Sequence, residues 1–155
     1  MIARATLADL DQVLRIERAA FTAPHWPWEA YEQMLGDSAN TRRVLLIETQ
    51  DEQVLGFAGG SLVAGEAQLE SIAVCEAERR QGLGRALCLA FLQWARACDA
   101  SSVSLEVRAA SVGVQKLYAS LGFAVVGLRP RYYSNPVEDG ILMQCLLDPK
   151  PQAEL

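Results

Sequence analysis

Hydrophobic positions along this chain recur in two rhythms, and the switches between them lay out the order of elements. Residues 2–5 read as a short strand. Thr6-Leu7-Ala8-Asp9 is then spelled like a capping box, and Leu10, Val13, Leu14 and Phe21 recur on one helical face. The cluster Pro24-His25-Trp26-Pro27-Trp28 breaks that helix. Pro27 suits the first turn of a second, short helix carrying Trp28, Tyr31 and Leu35, which Gly36-Asp37-Ser38 ends. Residues 44–48, 54–64 and 68–75 are β-rich runs parted by turn-like residues 50–52 and by Gly65, a pattern that predicts an antiparallel meander. Alternation is clean in none of the three, so these strands rest on composition and turns more than on period.

Residues 84–98 predict a helix with Leu87, Phe91, Trp94 and Cys98 facing a core, and Val103, Leu105 and Val107 alternate in the strand after it. Residues 112–121 predict a shorter helix, closed by Gly122 as a C-cap. Closing strands at 123–127 and 140–147 are joined by an aromatic and basic loop, 129–139. The predicted order is βααβββαβαββ, a single α/β domain over residues 1–148 with a mixed sheet, followed by a flexible tail at 149–155.

Composition narrows the class. A chain of 155 residues buries roughly 68–70% of its unfolded surface, and 51% hydrophobic with 21% charged residues is ordinary for a soluble globular protein. A net charge of −5 argues against nucleic acid as a partner. Cys75, Cys88, Cys98 and Cys145 lack C-x-x-C spacing and His25 is the single histidine, so no metal site is expected. Charged residues Arg4, Asp9 and Asp11 interrupt the first stretch before an apolar run can form, so neither a signal peptide nor a membrane span is expected there. The expected location is the cytoplasm, with free thiols that pack as small hydrophobes. The oligomeric state is left open, a monomer sufficing.

Arg79-Arg80-Gln81-Gly82-Leu83-Gly84-Arg85 lies between a strand and a helix. Glycines let the backbone turn tightly with amides pointing outward at a helix start, where the helix dipole favours an anion; a pyrophosphate suits that geometry. A merely tight connection fits the loop's spelling equally well. The dinucleotide fingerprint G-x-G-x-x-G is absent, and Arg85-Ala86 is not the Lys-Ser or Lys-Thr of a nucleotide P-loop. Further along, Glu106 points away from the face of Val103, Leu105 and Val107. From spacing alone it reads either as a solvated pair with Arg108 or as a site carboxylate. Tyr118 reads either as a core aromatic with its hydroxyl at the rim or as a proton donor.

Arg79-x-x-Gly82-x-Gly84 resembles motif A of the GNAT acetyltransferases. Ile72-Ala73-Val74 resembles the family's pantetheine-binding strand, and residues 117–123, Leu-Tyr-Ala-Ser-Leu-Gly-Phe, its L-Y-x-x-x-G-F box. The motifs stand in the family's order across about fifty residues. Leu105-Glu106-Val107-Arg108-Ala109, Arg131-Tyr132-Tyr133 and residues 138–143 resemble the RimI-type group, which acetylates the N-terminal alanine of a ribosomal protein.

The resemblance implies a mixed, mostly antiparallel central sheet flanked by helices, with acetyl coenzyme A as cosubstrate. By the same resemblance, Ile72, Ala73, Val74, Arg79, Arg80, Gln81, Gly82, Leu83, Gly84, Arg85 and Ser111 bind that cosubstrate, Ser111 standing where the family usually has asparagine. Glu106 becomes the general base and Tyr118 the general acid. Trp26, Trp28, Tyr31, Tyr132 and Tyr133 are rings that could wall a peptide groove, and the resemblance implies peptide binding for the loop with Arg131, Tyr132, Tyr133 and Glu138, with a protein N-terminus, of a ribosomal protein, as partner.

The two amine classes differ in what they ask of a base. At pH 7 an α-amine of pKa about 7.7–8.0 is roughly a tenth to a sixth neutral, whereas a lysine near 10.4 is about 0.04% neutral. The α-amine is therefore the expected acceptor. A GNAT enzyme acting on a small amine or a protein lysine remains the nearer rival, and a non-catalytic acyl-coenzyme A sensor or partner subunit the farther one.

Overall fold

The computed structural model describes residues 1–21, 23–79 and 81–147. Its elements run β1 (Ile2–Arg4), α1 (Leu10–Ala19), α2 (Trp28–Gln33), β2 (Arg42–Gln50), β3 (Gln53–Val63), β4 (Glu66–Val74), α3 (Leu83–Ala97), β5 (Ser102–Arg108), α4 (Val112–Ser120), β6 (Ala124–Tyr133) and β7 (Glu138–Leu146). The order matches the one read from the sequence. The seven strands form one sheet ordered β1-β2-β3-β4-β5-β7-β6. All neighbours are antiparallel except β4 and β5, which the crossover through α3 makes parallel.

Helices cover both faces of the meander. Val44 and Leu46 of β2 enter a core with Leu87 and Phe91 of α3, while Leu45 and Ile47 enter a second core with Leu10 and Val13 of α1. A strand buried on both faces is apolar at successive positions, which is why no clean alternation marks these runs. The face of α1 differs in one respect from the expected one: Phe21 is 64% exposed, and the inward positions are Leu10, Val13, Ile16 and the carboxylate Glu17.

The expected loop at 129–139 is mostly strand. β6 continues to Tyr133 and only residues 134–137 turn, but its register slips between Arg129 and Tyr133, and Arg131 takes a positive φ of 54°. This irregularity, with Arg and Pro interrupting the apolar pattern, conceals the strand from a reading of period. The predicted tail at 149–155 lies outside the described residues.

Gly60 makes the centre of the sheet possible. A Cβ there would lie 2.0 Å from the Gln68 carbonyl oxygen and 2.7 Å from the Phe91 ring. At this contact the β3–β4 register shifts: Gly59 faces Ser71 and Gly60 faces Leu69, leaving Glu70 as the extra residue of a β-bulge.

Candidate active site

β4 and β5 pair only at Glu66↔Ser102, Ala67↔Val103 and Gln68↔Ser104. Beyond that point β5 stays with β7 through seven successive pairs, from Ser102↔Leu146 to Arg108↔Gly140, and its far end parts from β4. Among the described residues the edge of β4 from residue 69 onward is thus left without a strand partner on this side. A narrow cleft of about 70 Å³ opens in the parting, with Ile72 from β4, Glu106 and Val107 from β5, Ser111 just before α4 and Tyr118 from α4 on its walls. It meets a wider groove of about 780 Å³ on the side of the α1–α2 loop, where Trp26, Glu70, Glu106, Tyr132 and Tyr133 line the walls. Two strands driven apart by different partners therefore produce one continuous concavity.

Glu106 stands where cleft and groove join. Its carboxylate lies 3.3 Å from Arg129 Nε, with its side chain only 11% exposed. A hydrogen bond to this carboxylate, followed by burial, raises the Tyr132 phenol above its ordinary value. Arg108, two residues on, pairs with Glu138 at 3.1 Å instead. The pairing of Glu106 with Arg108 that spacing alone allowed is not formed, because β6 and β7 bring each a separate partner.

Tyr118 is 6% exposed and packs on Phe123 with ring centroids 5.7 Å apart. Burial, with smaller contributions from Cys88 and Tyr133, pushes its phenol well above the ordinary 10.0, so it keeps its proton through neutral pH. Among the described residues its hydroxyl makes no hydrogen bond, which leaves it free to serve a group in the cleft.

At the other end of the parting, Gly82 caps α3 with φ +81°. Only glycine adopts that conformation without strain, and it aims the unpaired first-turn amides of a 15-residue helix outward. A Cβ on Gly84 would touch Val74 and Leu117 at 3.9 and 4.0 Å, so α3 begins between β4 and α4. Arg79 Nε donates to the Val74 carbonyl at 3.3 Å, and the Arg85 guanidinium donates to Ser120 at 2.9 Å. Gln81 is exposed, Leu83 half-buried and Ala73 buried on the α1 side. Arg80 lies outside the described residues.

The substrate-side expectations divide. Tyr132 and Tyr133 line the groove, their rings edge to face at 4.9 Å. Tyr31 is a correction: it is fully buried, its hydroxyl donating to Glu17 at 2.6 Å and lying 2.9 Å from Ser71 Oγ, so it supports β4 from behind. Trp28 packs at the edge of the α1–α2 core, and Trp26 lines the groove. Glu138 also lies outside both cavities, one oxygen on Arg108 and the other accepting the Ala110 amide at 2.6 Å. Arg131 is exposed outside them, its amide donating to Asp139 at 2.9 Å. Of residues 129–139, Tyr132, Tyr133 and Ser134 line the groove.

Three contributors escaped the sequence reading. Arg108 reaches Glu138 and the Ser134 and Pro136 carbonyls, and packs over the Phe21 and Tyr133 rings at 5.1 and 4.5 Å. It ties the β6–β7 turn to the α1–α2 loop. Glu70 is the extra residue of the β-bulge and Ser71 follows it; nothing in the spelling marked the bulge.

Comparison with known proteins agrees with this architecture. Residues 10–123 match the acetyltransferase (GNAT) family. The chain is 34% identical over 137 residues to the ribosomal protein bS18-alanine N-acetyltransferase of Escherichia coli K12, covering 87% of this chain and 89% of that one. The crystal structure of the E. coli ribosomal-protein-S18-alanine N-acetyltransferase superposes with a TM-score of 0.83 at 29% identity, covering 100% and 98% of the two chains. A Bacillus anthracis acetyltransferase solved with acetyl coenzyme A superposes at 0.66 and 25% identity over 76% of this chain and 68% of that one. With a strand parting, a glycine-capped helix and a family match over most of its length, this chain belongs to the GNAT acetyltransferase family.

Proposed function

We propose that this chain moves the acetyl group of acetyl coenzyme A to the N-terminal α-amine of a protein, a ribosomal protein beginning with alanine, in the cytoplasm. The observation that carries the reading is the junction of cleft and groove, where Glu106 and Tyr118 share one cleft and Glu106 also lines an aromatic groove of about 780 Å³. Sequence identity of 34% to an enzyme named for that reaction supports the choice of acceptor.

The residues fit the cosubstrate. The α3 amides behind Gly82, with Arg79 and Arg85 beside them and Arg80 and Gln81 in the same loop, suit a pyrophosphate, and the open edge of β4 at Ile72, Ala73 and Val74 suits the amides of a pantetheine arm. Ser111, as the N-cap residue of α4, offers a hydroxyl on the cleft wall. Acetyl coenzyme A supplies the thioester carbonyl and a thiolate leaving group. Glu106 takes the proton from the acceptor ammonium, Tyr118 gives one to the departing sulfur, and Tyr132 and Tyr133 wall the first residues of the peptide. Transfer is direct, within one ternary complex.

The deciding measurement compares kcat/KM for an alanine-first peptide, the same peptide with a blocked N-terminus and an internal lysine, and a polyamine. The alanine-first peptide should be the best substrate, with serine accepted less well because apolar size exclusion is worth only about 1–3 kcal/mol per methylene. A better rate on either competitor would transfer the assignment to lysine or to a small amine.

A further inference from the structure

We infer that Glu70, on the β4 bulge, is the residue that holds the acceptor's ammonium before transfer, so that two carboxylates divide the work: Glu70 binds the charged amine and Glu106 takes its proton. The inference rests on the amine-acetylating reading above and adds a specificity-determining residue to it.

Position is the first argument. Gln68 of β4 and Ser104 of β5 are the last paired residues before the strands part, and Glu70 and Glu106 each stand two residues beyond. Both line the cleft and both line the groove. Glu70 also borders a third concavity of about 320 Å³, with Trp26, Arg43 and Ser61, that extends the groove towards α2. Among the described residues no other lines all three.

Charge balance is the second. Glu106 is compensated by Arg129 and Arg108 by Glu138, two closed pairs at 3.3 and 3.1 Å. Among the described residues Glu70 has no cationic partner; its contact is a hydrogen bond accepted from the Ser61 hydroxyl. Among the described residues lining the cleft and the groove, Glu70 is thus the carboxylate without an ion pair. An ammonium entering the groove sheds water and needs a carboxylate in exchange, and a half-buried one attracts it more strongly than a carboxylate already shared with a guanidinium.

The Ser61 hydroxyl holds the carboxylate, and the bulge interrupts the β3–β4 register at Glu70, which lines the cleft in the parting. Because Glu70 binds charge, its effect must depend on the charge of the ligand and not on the rest of the peptide. That separates it from a wall residue.

The experiment measures calorimetric affinities, with coenzyme A bound, of an alanine-first peptide and of the same peptide Nα-acetylated, for wild type and Glu70→Gln. Wild type should prefer the free amine by about tenfold or more, and the variant should lower that preference to threefold or less while binding the acetylated peptide as wild type does. In turnover, KM for the peptide should rise more than kcat falls, and the KM difference should shrink above pH 8, where the α-amine of pKa about 7.7–8.0 is neutral in both cases. Equal weakening of both peptides, no weakening of either, or a fall in kcat at unchanged KM overturns the assignment. If wild type acetylates a polyamine or lysine peptide and not the alanine-first peptide, the N-terminal reading has failed. Glu70 is then judged by the same paired affinities with that amine and its N-acetyl product.

Discussion

Glu106 is held by the Arg129 guanidinium at 3.3 Å, with Tyr132 on the same groove wall, and the hold fixes where a proton can be taken up. Glu106→Gln keeps the shape and removes the basicity, so kcat should fall on the order of 10² to 10⁴ while acetyl coenzyme A binds as before. Full activity with an unaltered pH profile would leave the carboxylate a structural role only. Tyr118→Phe should cost less, since water can also protonate a thiolate. Burial raises the Tyr118 phenol above 10.0, so its protonated, donating form persists through pH 9; the rise of kcat/KM between pH 6 and 9 should therefore look alike in wild type and Tyr118→Phe. A wild-type decline between pH 7 and 9 that the variant lacks would contradict this.

At the scale of elements, the site depends on a helix start and on a strand held from behind. Gly82→Val forces a β-branched residue to φ +81° at the cap of α3 although the space around it is open, so the strain falls on the backbone that carries the first-turn amides. Affinity for acetyl coenzyme A should drop at least tenfold in a folded variant, and unchanged calorimetric binding would remove the loop from the site. Behind β4, Tyr31 joins α2 to Glu17 of α1 and to Ser71. Glu17 also accepts the Trp26 amide at 2.8 Å, so one buried carboxylate fixes both the second helix and a groove wall. Tyr31→Phe leaves Glu17 short of a donor and should cost about 1–3 kcal/mol in denaturant unfolding, with KM for the peptide rising. Unchanged stability would mean that Glu17 finds another donor. None of this network was legible: a glutamate at an inward helical position looks like a break in the apolar face, and a tyrosine among tryptophans looks like a groove wall.

For the molecule as a whole, the buried neutral acids predict alkaline sensitivity. Burial pushes Cys88 from 9.0 up to about 12 and Tyr133 from 10.0 up to about 12, and it also raises Tyr31 and Tyr118. The unfolded chain releases these protons first, so their contribution to stability is whole below about pH 9 and drains as pH climbs from 9 to 12. Tm should be level between pH 7 and 8.5 and then fall, less steeply in Tyr133→Phe; a level Tm to pH 11 would show that these groups ionise without unfolding.

The sequence by itself determined the element order, the glycine-capped loop and the family, because helix caps, turn residues and the spacing of Gly82, Gly84, Glu106 and Tyr118 are local properties of the chain. It also placed Glu106 on the face away from Val103, Leu105 and Val107, since parity along a strand needs no tertiary information. Only the fold decided who meets whom there. Arg129 rather than Arg108 reached Glu106, Trp26 but not Trp28 of the two candidate tryptophans reached the groove, and Tyr31 turned inward. Each outcome follows from strands distant in sequence being laid side by side and from the parting of β4 and β5, which arises because β5 follows β7. Partners contributed across a sheet are fixed by register and packing between segments, and such terms leave no mark on either segment read alone.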